Sequence, residues 1–197
     1  MSFTQSDSNP SPRSRRKALV PTLVAFAALA IGVTTATVAG ASKSSDGLDG
    51  VREATAQFRD VAATADAQYG EFKDVDGIAC IDMPGMGAMG IHYVNGGLVG
   101  DGAIDPNAPE ALVYQPDGQG KPRLVAVEYI VDKAQWDAAH DGHAPTLFGE
   151  TFNETGAPNR FGLDPFYSLH AWAWKHNPAG TFSMWNPDVH CTSQHQH

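Results

Sequence analysis

The stretch 111-ALVYQPDGQGKPRLVAVEYIV-131 decides the fold. Ala111 to Tyr114 and Leu124 to Val131 are rich in β-branched and aromatic residues. The segment between them, Gln115 to Pro122, holds two prolines, two glycines and an aspartate. Two β-prone runs separated by strong breakers read as paired strands. Within the second run Glu128 alternates with Leu124, Ala126 and Ile130, which places a carboxylate among apolar neighbours on one strand face. In such a setting a carboxylate either pairs with a cation or takes a raised pKa.

Downstream of this pair, Asp132 is placed to cap a short helix through Trp136 to His140, ended by Gly142. Residues 141–166 read mostly as loop. The C-terminal stretch 170-HAWAWKHNPAGTFSMWNPDVHC-191 then returns to period two. Read as a strand over 167–176, it puts His170, Trp172, Trp174 and His176 on one face, with Ala171, Ala173 and Lys175 on the other. Asn177-Pro178-Ala179-Gly180 suits a type I turn. A partner strand over 181–185 would then set Trp174 opposite Ser183 and Trp172 opposite Trp185.

Upstream, Ile91 to Val94 reads as a short strand inside a glycine-rich segment. Seven glycines fall between Gly85 and Gly102. Gly85, Gly87 and Gly90 match the spelling of a dinucleotide-binding loop, but that loop must open a helix. Here Ile91-His92-Tyr93-Val94 follows, and Gly96, Gly97, Gly100 and Gly102 argue against a helix, so the match is by letter only. Asp101, Asp105, Asn107 and Glu110 lack the spacing of an EF-hand loop and read as turn chemistry. From Leu48 to Phe72, Val51, Ala54, Phe58, Val61, Ala62, Ala65 and Tyr69 recur at three- and four-residue steps, the pattern of one long amphipathic helix.

The N-terminal 41 residues read as an export signal. Arg13, Arg15, Arg16 and Lys17 precede an uncharged run from Ala18 to Ser42, and Ala39-Gly40-Ala41 has the small-residue cleavage pattern. Ser14-Arg15-Arg16-Lys17-Ala18-Leu19 resembles the twin-arginine signature, with Ala18 where a bulkier apolar residue is commoner. The alternative is an uncleaved membrane anchor, since the run is long enough to span a bilayer. Residues 42–47 form a polar linker, 48–191 a single globular domain and 192–197, with His195 and His197, a tail.

Residues 1–41 carry four Lys/Arg and one Asp, so a net charge of −9 for the whole chain becomes −12 once they are removed. So acidic a protein lacks the basic footprint of a nucleic-acid binder. Its two cysteines, Cys80 and Cys191, are expected to pair outside the cytoplasm. The loop they close, about 110 residues, removes on the order of 4–5 kcal/mol of unfolded-chain entropy.

Three residues carry the candidate chemistry. His92 lies in a strand flanked by glycines, Glu128 sits among apolar neighbours, and His170 lies beside Trp172. On adjacent strands they would form a site for a divalent transition metal, or a base with its orienting partner. His170 and His176 cannot both ligate one ion. Six residues of strand separate them by about 20 Å, whereas ligand bonds are about 2 Å. No G-x-S-x-G, H-E-x-x-H or C-x-x-C occurs.

The runs PGMGAMGIHYVN (84–95), DGAIDPNAPEALVY (101–114) and LHAWAWKHNPAGTFSMWNPDVHC (169–191) resemble segments of a group of exported bacterial proteins to which no activity is assigned. The resemblance covers most of the chain after the signal, and implies export and a single domain.

The expected fold is α+β: an antiparallel sheet packed against a long N-terminal helix, with a half-closed barrel as the alternative arrangement. The first functional expectation is an extracytoplasmic binding protein. Its pocket would be lined by Tyr93, Trp172, Trp174 and Trp185, with His92, Glu128 and His170 as metal-ligating or polar groups. The alternatives are a metal-assisted enzyme with Glu128 as base, and a structural or interaction domain in which the His/Trp strand is core. The expected partners are a small molecule or a metal ion, with membrane contact only through an uncleaved N-terminus.

Overall fold

The structure, a computed structural model, describes residues 43–191 apart from 118 and 120, with side chains from residue 47 onward. The expected export segment 1–41, Ser42 and the expected tail with His195 and His197 lie outside the described residues, and residues 43–47, expected as linker, belong to the first helix.

The first helix, α1 (Lys43–Thr55), leads into a 3-10 turn over Ala56–Arg59 and then a single turn, α2 (Ala63–Asp66). The one long helix expected over 48–72 is therefore not formed. Asp60 adopts extended backbone, and its carboxylate accepts the Ala62 N–H, a local bond that competes with helix. A second break follows at Gln68, in the left-handed region with φ 63. The alanines that carried the helical pattern bury too little surface to hold one rod. Leu48, Val51, Phe58 and Tyr69 do the packing instead.

The strands are β1 (Gly70–Glu71), β2 (Cys80–Met83), β3 (Gly87–Val94), β4 (Ala111–Pro116) and β5 (Pro122–Asp132). Helix α3 (Gly96–Val99) follows β3, and α4 (Lys133–Ala139) follows β5. A small hairpin, β6 (Thr146–Leu147) with β7 (Glu150–Thr151), precedes β8 (Asn153–Thr155) and β9 (Phe166–Ala171). The main sheet runs β1-β3-β4-β5-β9-β8, with β2 also on β3, and every pairing is antiparallel. The sheet is open, not a barrel. The β4–β5 pair forms as expected, and so does α4, whose Asp132 side chain accepts the Gln135 N–H. One helical turn also forms among the glycines, at α3, because the Asn95 side chain accepts from Gly97 and Leu98. The nucleotide-loop spelling falls instead on β3 and the turn before it.

Register sorts the side chains onto two faces. Tyr93, Leu112, Val127 and Ala171 share one cross-sheet row and, with Tyr114, Tyr129 and Leu169, form the core beneath the N-terminal helices. The opposite face carries His92, Val113 and Ala126 in one row and Ala111, Glu128 and His170 in the next.

The expected strand over 167–176 ends at Ala171, and 181–185 forms no strand with it. The Ala173 N–H donates to Ala171 O, turning the chain, while Trp174 and Lys175 both donate to Val125 O. Trp172 and Trp174 then part company. The Trp172 indole donates to Ser183 O and packs with Ala88, Val113 and Val189, whereas Trp174 donates to Thr55 Oγ1 on the helix side. Each indole N–H needs its own partner, which one shared face does not supply. The turn between them is present, with Gly180 N–H donating to Asn177 O.

The C-terminal segment crosses the start of β3, where Ala88 and Asn186 exchange backbone hydrogen bonds. Gly87, at φ 94, permits this approach, since the Asn186 backbone occupies the space a Cβ would take. The disulfide Cys80–Cys191 fastens the same segment to β2.

Candidate functional site

Three strands place the site. His92 comes from β3, Glu128 from β5 and His170 from β9, all on the face opposite the N-terminal helices. Glu128 and His170 are direct cross-strand partners. His92 is two strands from Glu128 and one row along, about 11–12 Å between backbones at the usual strand spacing and rise. The position on β4 opposite Glu128 is Ala111, fully buried, whose small side chain leaves Glu128 room to reach across that strand.

They do meet. His92 Nε2 lies 3.2 Å from His170 Nε2 and 3.3 Å from Glu128 Oε2, and His170 Nδ1 lies 3.4 Å from Glu128 Oε1. All three residues are buried. One ligand atom from each falls within 4.8 Å of the others. Ligands bound at about 2.0–2.2 Å around one ion lie about 3–4 Å apart, which the 3.2 and 3.3 Å separations from His92 Nε2 match.

The protonation states suit the same role. Burial pushes the His170 imidazole below its ordinary value against the pull of Glu128, so it is neutral at pH 7. Burial alone would favour the acid form of Glu128. The positive charge that His170 carries while protonated in acid, the hydrogen bond from His92 and the Ser168 hydroxyl outweigh it and hold the carboxyl well below the usual range. An ionised carboxylate only accepts, so His170 Nδ1 is assigned the proton and its Nε2 the lone pair. That lone pair faces His92. Trp172 stacks on the far side of His170 at 6.2 Å, and Ser168, two residues before His170 on the same face, steadies Glu128. The i, i+2 spacing of Ser168 and His170 was the signal for this third partner.

His92, Glu128 and Ser168 open onto a cavity of about 550 Å³. Its walls are chiefly apolar and include Phe72, Val94, Val99, Ile130, Phe161 and Phe166, with Leu163 and Glu71 nearer solvent. Two of these walls are tied together. Arg160 donates through Nε and Nη2 to Asp74 Oδ2, at 3.1 and 2.6 Å, and Val75 N–H donates to Arg160 O. That pairing joins the loop carrying Phe161 and Leu163 to the turn after Phe72.

Of the aromatic residues expected around the metal-ligating groups, Trp172 stacks on His170, but none of the four lines the 550 Å³ cavity. Trp172 and Trp174 line a separate cleft of about 350 Å³ with Arg52, Lys175 and His176. Tyr93 points to the helix side, edge-on to Tyr114 at 5.0 Å. Trp185 does not line the 550 Å³ cavity, and its carbonyl accepts from Asn177. His176 is exposed and outside the site. Asp101 and Asp105 cap local turns, accepting from Ala103 and Asn107. The wall residues Phe161 and Leu163 come from irregular loop, where no periodicity marks them.

Comparison of the chain with protein-family models, with curated proteins and with solved structures finds no match.

Proposed function

We propose that this is an extracytoplasmic protein that binds a divalent transition metal through His92, Glu128 and His170, at the inner end of a small-molecule cavity. The observation that carries the reading is the convergence of two imidazole nitrogens and a carboxylate oxygen from three strands, at ligand-to-ligand separations. The supporting chemistry is the neutral His170 and ionised Glu128, the forms a metal requires, with Ser168 and Trp172 orienting them. The Cys80–Cys191 bond supports an oxidising compartment. Among the described residues no helix is long and apolar enough to cross a membrane.

A second reading, metal-assisted catalysis, draws on the ligand count. Three protein ligands are the usual set where a fourth position takes water or substrate. In that case Glu128 would help hold the ion, which would supply a bound hydroxide as nucleophile or base in place of the carboxylate.

Elemental analysis of the full chain, purified without a nickel column, tests the proposal. One equivalent of a transition metal, lost in His92→Ala while circular dichroism is retained, supports it. Absence of metal, with His92→Ala and Glu128→Ala changing only stability, leaves these residues as hydrogen-bonded core.

A further inference from the structure

The cavity is chemically lopsided. Phe72, Val99, Ile130, Phe161 and Phe166 give it apolar walls, while its charged lining groups are both carboxylates, Glu71 and Glu128. Among the described residues no Lys or Arg lines it. A volume of about 550 Å³ lies within the range of about 300–1,000 Å³ typical of small organic ligands.

We propose that the cavity takes an apolar molecule bearing a single carboxylate, with the metal ion as its counter-charge. The inference rests on the metal reading above. A divalent ion held by two neutral histidines and one carboxylate leaves one net positive charge at the floor. The apolar walls supply nothing to balance it, and Glu71, nearer solvent, is already paired with Lys73 at 3.7 Å. Leaving net charge in an apolar enclosure is costly. A monoanionic head neutralises the floor, a neutral head leaves it charged, and a dianion overshoots. Three protein ligands also leave a coordination position for that head, and the walls reward an apolar body by removing its surface from water. Without the ion the same carboxylate meets only the carboxylates Glu128 and Glu71 and is repelled.

The test uses the full chain with cobalt(II), whose visible absorption reports its ligands, and three probes: 4-phenylbutyrate, its primary amide, and acetate. The phenylbutyrate is expected to alter the cobalt bands and to bind the loaded protein about tenfold or more tighter than the metal-free protein. The amide is expected to show no preference between the two forms, and acetate to bind the loaded form about tenfold or more weakly than phenylbutyrate. Val99→Trp, or Leu163→Trp at the more exposed rim, keeps the cobalt spectrum and loses phenylbutyrate binding. If cobalt binds in a His92-dependent way but acetate matches phenylbutyrate, or the amide matches the acid, the ligand class is wrong and the metal site stands. If no His92-dependent cobalt binds, both fall.

Discussion

His92 on β3 and Glu128 on β5 approach to 3.3 Å across the intervening strand β4, where their cross-strand partners are Val113 and Ala111. The small Ala111 side chain beside Glu128 leaves that carboxylate space to cross the strand. Ala111→Leu should push the two side chains apart and overpack the site, costing about 1–3 kcal/mol of stability and abolishing metal binding. Urea denaturation and a metal titration of the same variant read both effects. Metal affinity retained in a folded Ala111→Leu protein would show that the spacing is not needed.

Ser168 tests the outer support of the site. Its hydroxyl steadies the Glu128 carboxylate, and groups in that position typically contribute about 10–100-fold to metal affinity. Ser168→Ala should lower affinity by such a factor in competition titrations with a chelator, with the fold intact. An unchanged affinity would remove Ser168 from the account.

Glu110 gives a pH dependence. It is buried, immediately before β4, and its carboxyl group accepts the Ile130 N–H. Burial pushes its carboxyl up to about 8 from an ordinary 4.5; the Ile130 hydrogen bond opposes this, and the charges of Asp101 and Glu128 add to it. The folded state then holds this proton more tightly than the unfolded chain. Its contribution to stability is complete below about pH 4.5 and is lost as pH climbs through about 8. Glu110→Gln keeps an acceptor for Ile130 and removes the ionisation. It should exceed the parent in stability at about pH 9 and match it at about pH 4 in denaturant titrations. Equal slopes of stability against pH for both proteins would contradict the assignment.

Cys80 and Cys191 are 111 residues apart, and their bond anchors the segment that covers Ala88 and Val113. Replacing both with serine should cost about 2–5 kcal/mol in urea denaturation. A loss well below that range would mean the C-terminal segment is held by its packing alone.

How much of this was legible in the sequence follows from which features are local. The β4–β5 pair announced itself through β-branched runs around Pro116 and Pro122, and α4 through the cap at Asp132. The three candidate ligands were legible because each broke its surroundings: a carboxylate among apolar residues, and histidines in strands. The N-terminal helix misled because alanines fit a helical period without burying enough surface to enforce it, and Asp60 had a local bond to make. The C-terminal hairpin misled because period two treats Trp172 and Trp174 as equivalent, whereas their indole N–H groups reach Ser183 and Thr55 in different parts of the molecule. The cavity itself was hidden, since Phe161 and Leu163 reach it from a loop fixed by the distant Arg160–Asp74 pair.

The most direct measurement is anomalous diffraction at the metal edge, on crystals of the full chain grown with zinc or cobalt. The account predicts one peak within about 2.0–2.2 Å of His92 Nε2, His170 Nε2 and a Glu128 oxygen. A map with no peak there, and metal only at exposed histidines such as His140 or His190, would contradict it.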